Sequence, residues 1–201
     1  MKIFKENSYD IVKLYINQIG ITIFSMFLYT AVAMIEDQVL FEQLRLVVSI
    51  FSILFYLSLI YNVVWEIGAK DKIRIDGGRM SPCKHKAFVM SIFANIPNFV
   101  LAGFAAIFVA LGLLTKNDGL YSVFFIFYFI LKFHSSMYMG CIQALTPNDP
   151  NVVDYNDCLI ESILFIVFPL ISIAVAHFSY QLGLKDKRLF AFFDGKPKKY
   201  E

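Results

Sequence analysis

The sequence predicts an all-α, polytopic membrane bundle: four spanning helices plus one broken or re-entrant segment, with five full spans as the alternative. Composition, the length of the charge-poor runs and the placement of the basic residues predict it. Of 201 residues, 58% are hydrophobic and 17% charged, and the mean hydropathy is +0.63. Soluble domains carry about 25% charged and about 45–50% apolar residues. Disorder, a collagen-like chain, a disulfide scaffold and an ordinary cytosolic enzyme therefore all fit badly. Residues 1–201 read as a single transmembrane helical domain.

A membrane helix needs about 20 mainly apolar residues, because the hydrocarbon core is about 30 Å thick. The run 14–35 carries no charge. Its Ala31-Val32-Ala33 has the look of a signal-peptidase site, but the run begins only after Lys13, so an uncleaved first span is expected. The second run, 46–65, closes on Trp65, a residue common at membrane interfaces. The third, 87–115, is uncharged; the fourth, 119–145, is interrupted by Lys132 and His134; the fifth, 162–184, follows Glu161.

Basic residues near span ends collect on the cytoplasmic side. Fifteen of the eighteen Lys and Arg lie in three regions. These are the N-terminal flank (Lys2, Lys5, Lys13), the loop 66–86 (Lys70, Lys72, Arg74, Arg79, Lys84, Lys86) and the tail 185–201 (Lys185, Lys187, Arg188, Lys196, Lys198, Lys199). Five full crossings would put the tail opposite the other two. An even number unites all three, with both termini cytoplasmic; the expected location is a bacterial plasma membrane. Gly68-Ala69-Lys70-Asp71-Lys72 and Gly183-Leu184-Lys185-Asp186-Lys187 repeat one pattern. Each reads as a helix end with a C-cap glycine, which also places both ends on one side.

One segment then fails to cross. Asn95-Ile96-Pro97-Asn98 interrupts 87–115 with a proline that lacks a backbone donor and two flanking amides that compete for backbone hydrogen bonds. A hairpin turning there is expected, with 119–145 as the alternative and Lys132 and His134 near its tip. A simple kink at Pro97 is the plain reading of the same residues, since neighbours in a membrane bundle satisfy the freed groups.

An ionisable group at bilayer depth costs about 2.5–3.5 kcal/mol on insertion scales, which singles out Lys132. It reads either as an anion-binding or proton-linked site, or as a snorkelling or register-setting residue paired with Glu161 or with carbonyls near Pro97. His134, Asn95, Asn98 and Pro97 complete a candidate intramembrane polar site. Asn17, Gln18, Asn62, Asn95 and Asn98 are expected to make interhelical hydrogen bonds, and Ser135, Ser136 and Gly140 a small-residue packing face. Lys70, Lys72, Arg74, Arg79, Lys185, Lys187 and Arg188 form a candidate surface for anionic headgroups or a protein partner, with the aromatic run 189–193 beside it. Net charge of +2, segregated in this way, gives no sign of nucleic-acid binding.

Cys83, Cys141 and Cys158 have neither metal-ligand nor disulfide spacing, and no metal or cofactor is expected. The chain lacks G-x-x-x-x-G-K-[ST], H-E-x-x-H, G-x-S-x-G and paired intramembrane aspartates, so it is not expected to be an enzyme. The leading expectation is a small non-catalytic subunit or scaffold of a membrane complex, joined to other subunits or to itself through its basic loop and tail. The alternative is a homo-oligomeric transporter or channel for a small solute or ion, because broken helices make binding sites at mid-membrane.

Overall fold

A computed structural model describes residues 7–146 and 154–189. The described residues form α1 (Ser8–Val32), α2 (Gln38–Asp76), α3 (Lys86–Thr115), α4 (Asp118–His134), a 3-10 turn (Ser136–Tyr138), α5 (Met139–Leu145) and α6 (Tyr155–Leu184). Four of these, α1, α2, α3 and α6, are long and apolar enough to cross a membrane. The starts of α2, α4 and α6 follow the chemistry of helix caps. Asp37 accepts from the Val39 and Leu40 amides at 2.9 and 3.0 Å, Asn117 from Gly119 at 2.9 Å and Asp154 from Asn156 at 2.8 Å.

The four spanning helices run alternately up and down. Trp65, Lys72, Lys84 and Lys86 at the α2–α3 corner touch Lys187, Asp186, Gln181 and Asp71. The end of α2, the start of α3 and the end of α6 therefore share one end of the bundle, called the basic end below. At the far end the Tyr121 and Tyr155 rings stack at 3.8 Å, and Gly140 packs on Tyr29 and Arg45. Helix α6 lies against α2 and α3, and α1 lies against the same pair.

The break is in the other segment from the one expected. Helix α3 runs unbroken through Pro97, so residues 87–115 form an ordinary span. The chain instead bends by 82° between α4 and the 136–145 segment. Helix α4 starts at the far end, and the chain is back near it at Thr146, which donates to Glu161 at 3.3 Å, two turns into α6. Residues 118–145 thus enter and leave by one end. Lys116, at the end of α3, lies at the far end with Arg45.

Two further expectations change. Gly68 caps nothing: α2 continues to Asp76, with Gly77 as its cap, so much of the expected loop 66–86 is helix. Gly68 and Gly183 instead face each other, and a Cβ on Gly68 would lie 2.6 Å from the Tyr180 carbonyl and 3.1 Å from the Gly183 Cα. The repeated pattern marks a close helix crossing, for which small residues are needed.

Candidate functional site

The tip of the hairpin, residues 134–138, is held by hydroxyls and an amide from neighbouring helices. Thr22 of α1 donates to the His134 carbonyl at 2.7 Å, and Ser49 of α2 to the Met137 carbonyl at 2.6 Å. Ser136 meets Ser25 at 2.6 Å and donates to the Thr22 carbonyl at 2.9 Å. Ser135 donates to Asn98 of α3, whose amide donates at 2.9 Å to the Phe165 carbonyl of α6. Thr22, Ser49 and Phe165 each lie ten or so residues from their helix's far end. At about 1.5 Å per residue the tip sits about 15 Å along the bundle from those ends. The small-residue face at Ser135, Ser136 and Gly140 packs within the chain, with the Gly140 amide donating to Tyr29.

Lys132 emerges just before the tip and pairs with Glu161, Nζ to Oε2 at 3.2 Å. Glu161 is 1% exposed and also accepts from Tyr128 and Thr146, while the Lys132 ammonium lies 4.2 Å from the Tyr128 ring centre. The pair fastens the hairpin to α6. Hydrogen bonds to a charged group contribute about 1.5–3 kcal/mol. Tyr128→Phe is therefore expected to lower stability by about that much in detergent unfolding followed by circular dichroism.

The remaining candidates part company here. His134 contributes its carbonyl to the tip, and its ring stands 5.9 Å from that of Tyr15. Pro97 lies half-buried within α3, making no break. Asn95 reaches only the Ser91 carbonyl one turn earlier, at 2.9 Å, and Gln18, 0% exposed, has no hydrogen-bond partner for either amide atom among the described residues. The expected interhelical bonds of these two are not formed. Asn17 is half-buried and Asn62 exposed.

No protein-family model, curated protein or solved structure matches the chain. Among the described residues, no group of three or more His, Cys, Asp or Glu is placed to hold a metal ion.

The basic residues gather at one end but differ in situation. Lys70 pairs with Glu66 at 2.7 Å, Lys72 with Asp186 at 3.8 Å and Arg74 with Asp71 at 3.6 Å. Arg188 lies 4.1 Å over the Trp65 ring, whose N–H donates to the Lys187 carbonyl. Arg79, Lys185 and Lys187 are exposed. Lys196, Lys198, Lys199 and most of the run 189–193 fall outside the described residues. Lys86, expected among the loop charges, is buried against Asp71 at 2.6 Å, and Tyr180 donates to the same carboxylate at 3.0 Å. Sequence reasoning missed Asp71 because it stands within a run of exposed-looking charges.

Proposed function

We propose that this chain moves a small solute or ion across the membrane, with the hairpin as its working part and no covalent chemistry. The observation that carries the reading is the 82° bend inside the bundle, ringed by hydroxyl and amide side chains from three spanning helices, which this reading places near mid-membrane. Non-helical backbone is tolerated at that depth only where protein buries it or where it lines a cavity, and transporters place binding sites at such breaks. The basic end faces the cytoplasm in this reading, which follows the bias of Lys and Arg in a plasma membrane, of a bacterium on our proposal.

The test uses the contact between Ser25 and Ser136, 2.6 Å apart. In a chain with Cys83, Cys141 and Cys158 replaced, Ser25→Cys with Ser136→Cys would tie the tip to α1. Flux of a panel of ions and small solutes into proteoliposomes should stop on oxidation and return on reduction. Flux that continues with the disulfide formed, or no flux at any stage, would count against the proposal.

A second reading, a subunit that docks partners, is favoured by the exposed Arg79, Lys185 and Lys187 just past the ends of α2 and α6 at the basic end. Anionic headgroups suit the same surface, at about 1 kcal/mol per charge. Under this reading the chain co-purifies with other membrane proteins in mild detergent. A chain that stays alone, with its basic end open to protease, would argue against it.

A further inference from the structure

Beyond the tip, toward the basic end, three helices each bury a polar side chain that the bundle leaves incompletely bonded. Gln18 lies one turn past Thr22 on α1, Ser52 one turn past Ser49 on α2, and Asn95 one turn past Asn98 on α3, with Ser91 a further turn on. Residues three or four apart share a helix face, so each stands on the face that touches the tip. Their exposures are 0% for Gln18 and Ser52, 3% for Asn95 and 4% for Ser91. Neither amide atom of Gln18, nor the Ser52 and Ser91 hydroxyls, nor the Asn95 carbonyl oxygen has a hydrogen-bond partner among the described residues. Buried polar atoms are bonded in the great majority of proteins, and in lipid the incentive is stronger still. Five such atoms within about two helical turns of the hairpin tip, on three helices, are unusual enough to need a cause.

We infer that this belt is a binding site for a small uncharged polar solute bearing both hydrogen-bond donors and an oxygen acceptor, of the urea or polyol type. The belt offers a donor from the Gln18 amide, acceptors from the Gln18 and Asn95 carbonyls, and two hydroxyls that serve as either. Its four side chains carry no formal charge. An ion held there would need a counter-charge at membrane depth. The two buried ion pairs among the described residues, Lys132 with Glu161 of α6 at 3.2 Å and Lys86 with Asp71 at 2.6 Å, are already matched. The inference rests on the transport reading above and names its substrate class.

The experiment measures uptake of urea and of glycerol by proteoliposomes of the full chain, using stopped-flow light scattering, alongside potassium and chloride uptake with ion-sensitive dyes. The expected result is permeability to at least one neutral probe above that of protein-free vesicles. Gln18→Leu should lower it at least tenfold, and Asn95→Leu should lower it as well. Gln18→Leu should unfold at no lower temperature than the parent, because it removes a buried amide that bonds nothing in the bundle. Ion flux without either neutral probe would overturn the neutral-solute assignment and leave the transport reading standing. Neutral flux indifferent to Gln18→Leu, or a Gln18→Leu chain that fails to fold, would overturn the site. No flux of any probe would overturn both.

Discussion

Alanine at Gly183 or Gly68 is expected to lower stability by about 1–3 kcal/mol, the range for overpacking a filled interior. The upper part of that range applies, because the obstacles are backbone. A Cβ at Gly68 would lie 2.6 Å from the Tyr180 carbonyl and 3.2 Å from the Leu184 nitrogen, and one at Gly183 would run into the Trp65 carbonyl and lie 3.0 Å from the Ala69 nitrogen. Neither helix can yield without separating α2 from α6, the pair that joins the second span to the last. Gly103→Ala in α3 is the matched control. Nothing lies within 4 Å of its would-be Cβ, and alanine in a helix interior gains about 0.5–1 kcal/mol over glycine. Thermal unfolding of the three variants in one detergent, followed by circular dichroism, should therefore move in opposite directions. Equal shifts at Gly103 and Gly183 would mean that the α2–α6 crossing is looser than described.

Asp71→Ala should have the largest effect of any single substitution, about 3–5 kcal/mol, the cost of breaking a buried ion pair from one side. Asp71 is 1% and Lys86 4% exposed, and the carboxylate also takes the Tyr180 hydroxyl. Truncation strands the Lys86 ammonium between α2 and α3. Replacing both partners with apolar residues is often neutral, so Asp71→Leu with Lys86→Met should recover most of the loss. Denaturant unfolding of the single and double variants distinguishes these cases. A double variant as unstable as Asp71→Ala would show that the loss comes from packing rather than from the uncompensated charge.

Sequence and structure agree on class and on the even number of crossings for one physical reason. Hydropathy and charge sidedness are properties of single segments, and a bilayer acts on each segment separately. Which of two segments breaks is only half legible: the sequence favours 87–115 and offers 119–145, with Lys132 and His134 near its tip, as the alternative that the structure bears out. Pro97 is the strongest local breaker in the chain, yet α3 runs through it, embedded among α1, α4 and α6. The bend at Ser135 has neither Pro nor Gly. It forms because Thr22, Ser49 and Asn98, distant in sequence, bond the backbone and side chains of residues 134–137. Beside Lys132 and His134, the Ser135-Ser136 pair is a further local sign, since hydroxyls compete with helical hydrogen bonds. Lys132 was legible as a candidate because a charge in an apolar run is conspicuous, and Glu161 was foreseen as one of two possible partners. Asp71 and Lys86 were not, because a buried pair and a solvated loop pair have the same composition. In sequence Gln18 has the look of an interhelical hydrogen-bonding residue, and only its surroundings distinguish it from Asn98, which does form such bonds.

The re-entrant hairpin is the centre of this account, and the sidedness of four positions tests it most directly. In a chain with its native cysteines replaced, single cysteines at Lys116, Asn156, Arg79 and Lys187 can be labelled in sealed vesicles with a membrane-impermeant maleimide. A hairpin that enters and leaves by one end predicts that Lys116→Cys and Asn156→Cys label from one side, and Arg79→Cys and Lys187→Cys from the other. Labelling of Lys116→Cys and Asn156→Cys from opposite sides would make 118–145 a fifth crossing and contradict the account.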